Sequence, residues 1–209
     1  MSPYFKPSTP HRPKVAKVAN RVRIIGGTWR SRAIEFPDAD GLRPTANRVR
    51  ETLFNWLGQT LHDKHCLDLF SGSGALGFEA ASRGATEVLM LETQSAAVGG
   101  LKTNQKKLAA TQCRIVAIDA LTFLHRNNQK FDIVFIDPPF ASNLMRAVLS
   151  KLPGCLAEAG VAYAEWCVPL SDELANIADT PLEITKHGKA GAVHFALLRL
   201  ASSYHPPPI

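Results

Sequence analysis

Cysteine is scarce and scattered: Cys66, Cys113, Cys155 and Cys167 show no Cys-x-x-Cys spacing. That excludes a zinc ribbon and a disulfide framework and leaves buried free thiols as the expectation. Histidines such as His62, His65, His125 and His187 stand alone, without metal-ligand spacing, so no metal is expected. No run of 18 apolar residues could cross a bilayer. The first twenty residues lack the apolar core of a secretory signal, so a cytoplasmic protein is expected. Acid is nearly missing from the front: residues 1–50 hold eleven Lys or Arg against three acids, while the rest nets −2 of a total +6. A basic arm on a near-neutral body suits a polyanion, with a merely solubilising tail as the alternative.

What is present is an ordinary globular composition, 45% hydrophobic and 20% charged over 209 residues. That length supports one α/β core and at most a small appendage. Residues 1–20 are Pro-containing and aperiodic, which predicts a disordered basic tail. Arg21–Gly27 and Thr28–Phe36 read as two strands around a Gly-Gly turn, a hairpin extension over 21–41. Arg21 with Arg23, and Arg30 with Arg32, recur at a spacing of two, placing each pair on one strand face along phosphates. Trp29 either packs the hairpin or stacks on a base. Thr45 caps an amphipathic helix running to Leu57, with Arg48 and Glu51 at pairing distance. Arg43, Arg48 and Arg50 cluster at its N-terminal end, where cations gain nothing from the helix dipole, so an anionic partner gives them a role.

From Cys66 the pattern alternates: strands at Cys66–Phe70, Glu87–Leu91, Cys113–Ile118 and Phe131–Ile136, helices over Ala75–Arg83, Gln94–Ala109 and Ala120–Arg126. Asn143–Leu152, Val161–Glu165, Leu170–Ile177, Leu182–Thr185 and Val193–Leu200 add helix, strand, helix and a closing antiparallel pair. The series predicts a doubly wound sheet over 42–200, with 201–209 frayed. Ligands collect beyond the carboxyl ends of such strands, where Gly72, Glu92, Asp119 and Asp137 fall.

Gly72-Ser73-Gly74-Ala75-Leu76-Gly77 satisfies the dinucleotide pattern, so an NAD enzyme is a competitor. Asp68 argues against it, since a carboxylate beside the turn repels a pyrophosphate yet suits a cofactor with an ammonium and a sulfonium. S-adenosylmethionine is therefore favoured, with Glu92 accepting from the ribose, Asp119 from the adenine amine and Ala120 lining the ring. Taken alone, Asp119 reads as well as a helix cap.

Asp137-Pro138-Pro139-Phe140 follows a strand. Two prolines make a stiff turn without backbone donors. Asp137 and the Pro138 carbonyl can accept from an exocyclic amine while Phe140 stacks on a flat base. With no cysteine near this motif in sequence, direct transfer without a covalent enzyme intermediate is expected.

Taken together, these residues resemble the bacterial 16S rRNA (guanine-N2)-methyltransferase family RsmD. The likeness rests on Arg23-Ile24-Ile25-Gly26-Gly27 with Trp29-Arg30, Leu42-Arg43-Pro44-Thr45, Arg48 to Asn55, Asp68 to Ala80, and the Asp-Pro-Pro-Phe turn. It covers roughly residues 21 to 200. The resemblance implies a class I, Rossmann-like methyltransferase with a seven-stranded, mostly parallel sheet and an N-terminal hairpin. It implies a guanine in the head of the small subunit as substrate, met on assembled or late-assembling 30S particles, and a monomer. Carried over, Asp68, Phe70, Gly72 and Gly74 surround the methionyl part, Glu92 and Thr93 the ribose, Asp119 and Ala120 the adenine. Asp137 borders both ligands, and the Asp137–Phe140 turn receives the flipped guanine. Arg21, Arg23, Trp29, Arg30, Arg32, Arg43, Thr45, Arg48 and Arg50 are the RNA-side residues. The family usually has Arg-Gly-Arg where Arg30-Ser31-Arg32 stands, Asp at Asn47 and Tyr near His194. Another rRNA base, guanine N2 or adenine N6, a protein amide, and a non-catalytic RNA-binding factor are the rival readings.

Overall fold

The computed structural model describes residues 20–36, 47–140 and 143–204. The expected basic tail, Arg43, the Thr45 cap and the end of the frayed C-terminus lie outside the described residues. In chain order the elements are β1 (Asn20–Arg23), β2 (Ala33–Phe36), α1 (Asn47–Leu57), β3 (His65–Asp68), α2 (Ala75–Ser82) and β4 (Glu87–Glu92). Next come α3 (Ser95–Leu108), β5 (Cys113–Ala117), α4 (Ala120–Arg126), β6 (Phe131–Ile136) and α5 (Leu144–Lys151). A 3-10 turn (Leu152–Gly154), β7 (Leu156–Trp166), α6 (Leu170–Ala175), β8 (Leu182–Ala190) and β9 (Val193–Leu200) complete the chain.

Strands β3 to β9 form one sheet in the order β5-β4-β3-β6-β7-β9-β8. Strand β9 runs against both of its neighbours, and the other pairings are parallel. Strands of this kind are buried on both faces because helices cover both. Successive side chains accordingly feed two cores. Cys66, Val88, Met90, Ile133, Phe135 and Tyr163 join the core that contains α1, α2 and the hairpin. Leu67, Leu89, Leu91, Val134, Ile136 and Ala164 join the core under α4, α5 and α6. Cys66, Cys113 and Cys155 are buried thiols as expected, and burial pushes Cys113 and Cys155 up to about 12, so they stay protonated.

The hairpin is built into the body by its apolar side. Val22, Ile24, Ile34 and Phe36 are buried with Leu53, Phe54 and Phe78, and Trp29 packs half-buried on the same core. The second expected strand begins only at Ala33; residues 24–32 instead form a docked loop. Ser31 occupies the left-handed region at φ 68, a conformation that glycine adopts more easily. It keeps there the turn for which the related pattern uses glycine. Gly27 is required, because a Cβ at its φ of 75 would lie 1.8 Å from the Ser82 carbonyl oxygen. The Thr28 amide donates to that carbonyl at 2.7 Å, and the Trp29 amide to the Ser82 hydroxyl at 2.9 Å.

One buried ionic cluster fastens these parts. The fully buried Glu79 carboxylate on α2 accepts from the amides of Ile25 (2.7 Å) and Gly26 (2.8 Å) and from Arg83 Nε (2.9 Å). Arg50 on α1 lies 3.5 Å from it and donates to the Arg23 carbonyl and to Asn47 Oδ1. The Arg83 guanidinium also covers the Phe54 ring, 4.6 Å from its centroid. Arg50 is thus corrected from an RNA contact to a structural tie: its exposure is 0%, on the side of α1 that carries Val49, Leu53 and Phe54. The expected Arg48–Glu51 pair does not form among the described residues.

Removing Glu79 would leave two buried guanidinium groups short of their counter-charge. Glu79→Ala should lower unfolding free energy by about 3–5 kcal/mol, read by chemical denaturation; a loss below about 1 kcal/mol would contradict the role given to the cluster.

Candidate active site at the carboxyl edge of the sheet

The strand order lines up four acids. Asp119 follows β5, Glu92 ends β4, Asp68 ends β3 and Asp137 follows β6, on four adjacent strands. The chain winds away from β3 in both directions, so the glycine loop after β3 sits at the switch point where doubly wound sheets hold ligands.

Asp68 is 2% exposed. Its Oδ2 accepts from the Gly77 amide at 3.1 Å, and the Phe70 amide also donates to the carboxylate. The side chain therefore spans the loop from its entry to the first turns of α2. Burial pushes its carboxyl up to about 7, against the pull of those two amides, while the charge of Glu92 adds to the rise. Gly74 closes the loop at φ 83, and its Cβ would collide with the Phe78 ring at 2.6 Å. Glu92 ties the other side: Oε2 accepts from the Gly72 amide at 2.9 Å, Oε1 from the amides of Thr93 (2.7 Å) and Gln94 (2.8 Å). Asp119 is exposed and caps α4, accepting from the Thr122 amide at 2.8 Å, and Ala120 is buried behind it. The capping alternative for Asp119 is realised. Each carboxylate oxygen can accept more than one bond, so these ties do not exhaust Glu92 or Asp119. Acceptors at two strand ends beside an acid-flanked glycine loop fit the ribose, the adenine amine and the cationic end of S-adenosylmethionine.

At the turn after β6, Pro138 is buried, while Phe140 is 41% exposed and meets Trp166 edge-on, with centroids 5.7 Å apart at 84°. The Trp166 indole donates to Glu173 Oε1 at 3.2 Å, fixing the ring that supports Phe140. Cys167 is exposed one residue further, so one cysteine does come to this edge, contrary to its distance in sequence. Sequence reasoning also missed Tyr163, Glu165 and Trp166. The available signal was an acid within the apolar strand end Tyr163-Ala164-Glu165-Trp166. Among the expected RNA-side residues, Arg21, Arg23, Arg30, Arg32 and Arg48 are exposed. Arg21 faces Glu35 at 3.2 Å, Arg23 donates to the Ser31 carbonyl, and Arg32 donates to the Lys107 carbonyl of α3. Arg30 and Arg32 lie off the strand, so their pairing on one strand face is not realised.

The family model described as conserved hypothetical protein 95 matches residues 22–199. The ribosomal RNA small subunit methyltransferase D of Escherichia coli strain K12 is 44% identical over 149 residues, 70% of this chain and 75% of that protein. The chain belongs to the RsmD family. The enzyme of the same name from Haemophilus influenzae is 46% identical to this RsmD-family chain over 135 residues, 63% of it and 70% of that protein. The solved structure of yhhF from Escherichia coli superposes with a TM-score of 0.77 at 38% identity, covering 88% of this chain and all of that one. The expected class I, Rossmann-like fold with an N-terminal hairpin is thereby established for this family member.

Asp68 gives the ligand-free protein a signature in pH. Its folded-state carboxyl holds a proton up to about pH 7, whereas in the unfolded chain it ionises near 4. The folded form thus binds the extra proton between those values, and stability falls as pH rises through that window, by up to about 4 kcal/mol. Denaturation midpoints from pH 4.5 to 7.5 should decline less steeply in Asp68→Asn than in the native chain; parallel curves would contradict the assignment.

Proposed function

We propose that this chain transfers the methyl group of S-adenosylmethionine to the exocyclic N2 amine of one guanine in small-subunit rRNA, within an assembled or late-assembling 30S particle, as a monomer and without a metal. The observation that carries the reading is adjacency: β3 and β6 are hydrogen-bonded neighbours, so the glycine loop and the Asp137–Phe140 turn emerge side by side. Among the described residues no His, Cys, Asp and Glu group is placed to hold a metal ion, and no helix is long and apolar enough to cross a membrane.

When bound, the cofactor supplies an electrophilic methyl carbon on a sulfonium. The glycine loop, Glu92 and Asp119 would hold it. The task left to the chain is to present a poorly nucleophilic amine, whose lone pair is conjugated into the base. Asp137 and the Pro138 carbonyl would accept from the two N2 protons, favouring the pyramidal amine whose lone pair can attack. The same acceptors stabilise the positive charge that develops on nitrogen before one proton leaves. Phe140, backed by Trp166, offers a ring face to the base. The prolines give the turn little freedom, so the amine is aligned at small entropic cost.

The basic face would track rRNA phosphates. Arg21, Arg23 and Arg30 are exposed, and an exposed contact such as Arg21–Glu35 is cheaply exchanged for a phosphate.

Asp137→Ala should bind cofactor by calorimetry near normally while turnover falls at least about a hundredfold, as when a transition-state hydrogen-bond acceptor is lost; native turnover in the variant would sink the assignment. Changing Arg21, Arg23 and Arg30 together to Ala should weaken rRNA binding and reduce the slope of log affinity against log salt by about 2. A slope equal to that of the native chain would mean that these arginines do not meet phosphate.

A further inference from the structure

Beside the turn stands a second acid to which no function has been given above. Glu165 lies near the carboxyl end of β7, is 4% exposed, and accepts from the Tyr163 hydroxyl through Oε1 at 2.6 Å. The last paired residues of β6 and β7 are Ile136 and Ala164, so Asp137 and Glu165 follow one step later on adjacent strands. Alternation along β7 puts Glu165 on the face of Tyr163, away from Trp166. The phenol is fully buried, its ring 6.3 Å from that of Phe195, which in turn lies 5.4 Å from Trp56 of α1. The charges of Glu165 and Asp137 both act on this phenol, after burial itself, to hold it well above its ordinary pKa. It therefore remains a proton donor, and Glu165 is oriented by a neighbour that does not ionise near neutrality.

Guanine and adenine differ at the edge such a carboxylate would meet. Guanine offers a donor, N1–H, next to its amine, and a carboxylate oxygen can accept from it while the two amine protons stay with Asp137 and the Pro138 carbonyl. Adenine offers an acceptor at N1 next to its amine, and a carboxylate facing it would set two lone pairs against each other. The Asp-Pro-Pro-Phe turn accepts from an amine of either base and so does not by itself distinguish them.

We propose that Glu165, oriented by Tyr163, accepts from N1–H of the target base beside Asp137 and selects guanine over adenine. Glu165 is then a specificity residue and Tyr163 a positioning residue acting through it. The inference rests on the proposed function, deepening it from an amino-methyltransferase site to a guanine-reading one.

The test uses 30S particles reconstituted with transcribed 16S rRNA, carrying either guanine or adenine at the position the native enzyme labels. Glu165→Gln, which replaces one acceptor oxygen by a donor amide, should fold and bind cofactor as the native chain does. Its transfer to guanine should fall by about 10- to 100-fold, and its preference for guanine over adenine should narrow at least about tenfold. Tyr163→Phe should lose part of the same preference, because Glu165 remains but is no longer held. An unchanged guanine-to-adenine ratio in Glu165→Gln would overturn the inference while leaving the proposed function standing. Failure of the native enzyme to label either particle would overturn both.

Discussion

Glu79 has no exposed surface, yet it holds together three pieces of chain that are far apart in sequence. Its two oxygens take the amides of Ile25 and Gly26 from the hairpin loop and the guanidinium of Arg83 from its own helix, with Arg50 of α1 close by. Burying such charges is costly unless they are paired and hydrogen-bonded. Here the neutralising partners come from the elements that must be placed. The helix carrying Glu79 is the one that follows the glycine loop, so the hairpin and its exposed arginines are referred to the same helix as the cofactor site. The surface proposed to meet rRNA and the pocket proposed to perform the chemistry thereby share one frame.

Within that frame, three of the four acids at the carboxyl edge have a structural duty as well as the ligand role proposed for them. Asp68 fixes the glycine loop to α2, Glu92 fixes it to β4, and Asp119 starts α4. Shape and chemistry are coupled as a result. A substitution at Glu92 or Asp68 would disturb the loop even before a ligand arrives, so its effect on binding does not by itself measure a contact. Asp137 lies in a stiffer setting, since two prolines define the turn without amide donors. Loss there reports more directly on chemistry.

Much of this was legible in the chain. Apolar runs located every strand of the large sheet; the central ones are buried on both faces and are apolar almost throughout, whereas the edge strand β8 is largely exposed and only its first part was read. The acids at strand ends stood out against those runs. Arg50 could not be read correctly: an arginine near a helix N-terminus looks like an anion site, and only the packing of α1 on α2 shows that its partner is Glu79, 29 positions later in sequence. Arg30 and Arg32 kept the spacing of a strand but belong to a loop docked on Ser82, a long-range contact invisible to periodicity. Glu165 and Trp166 needed the strand order, which brings β7 beside β6.

The central claim is that this edge methylates one guanine of small-subunit rRNA. Its most direct test is methyl transfer from labelled S-adenosylmethionine, offered to unmodified 30S subunits and to naked 16S rRNA side by side, with nuclease digestion and mapping of the product. The account predicts label in a single N2-methylguanosine, mainly on the particle. Label in another nucleoside, or none on either substrate from a chain that binds the cofactor, would contradict it.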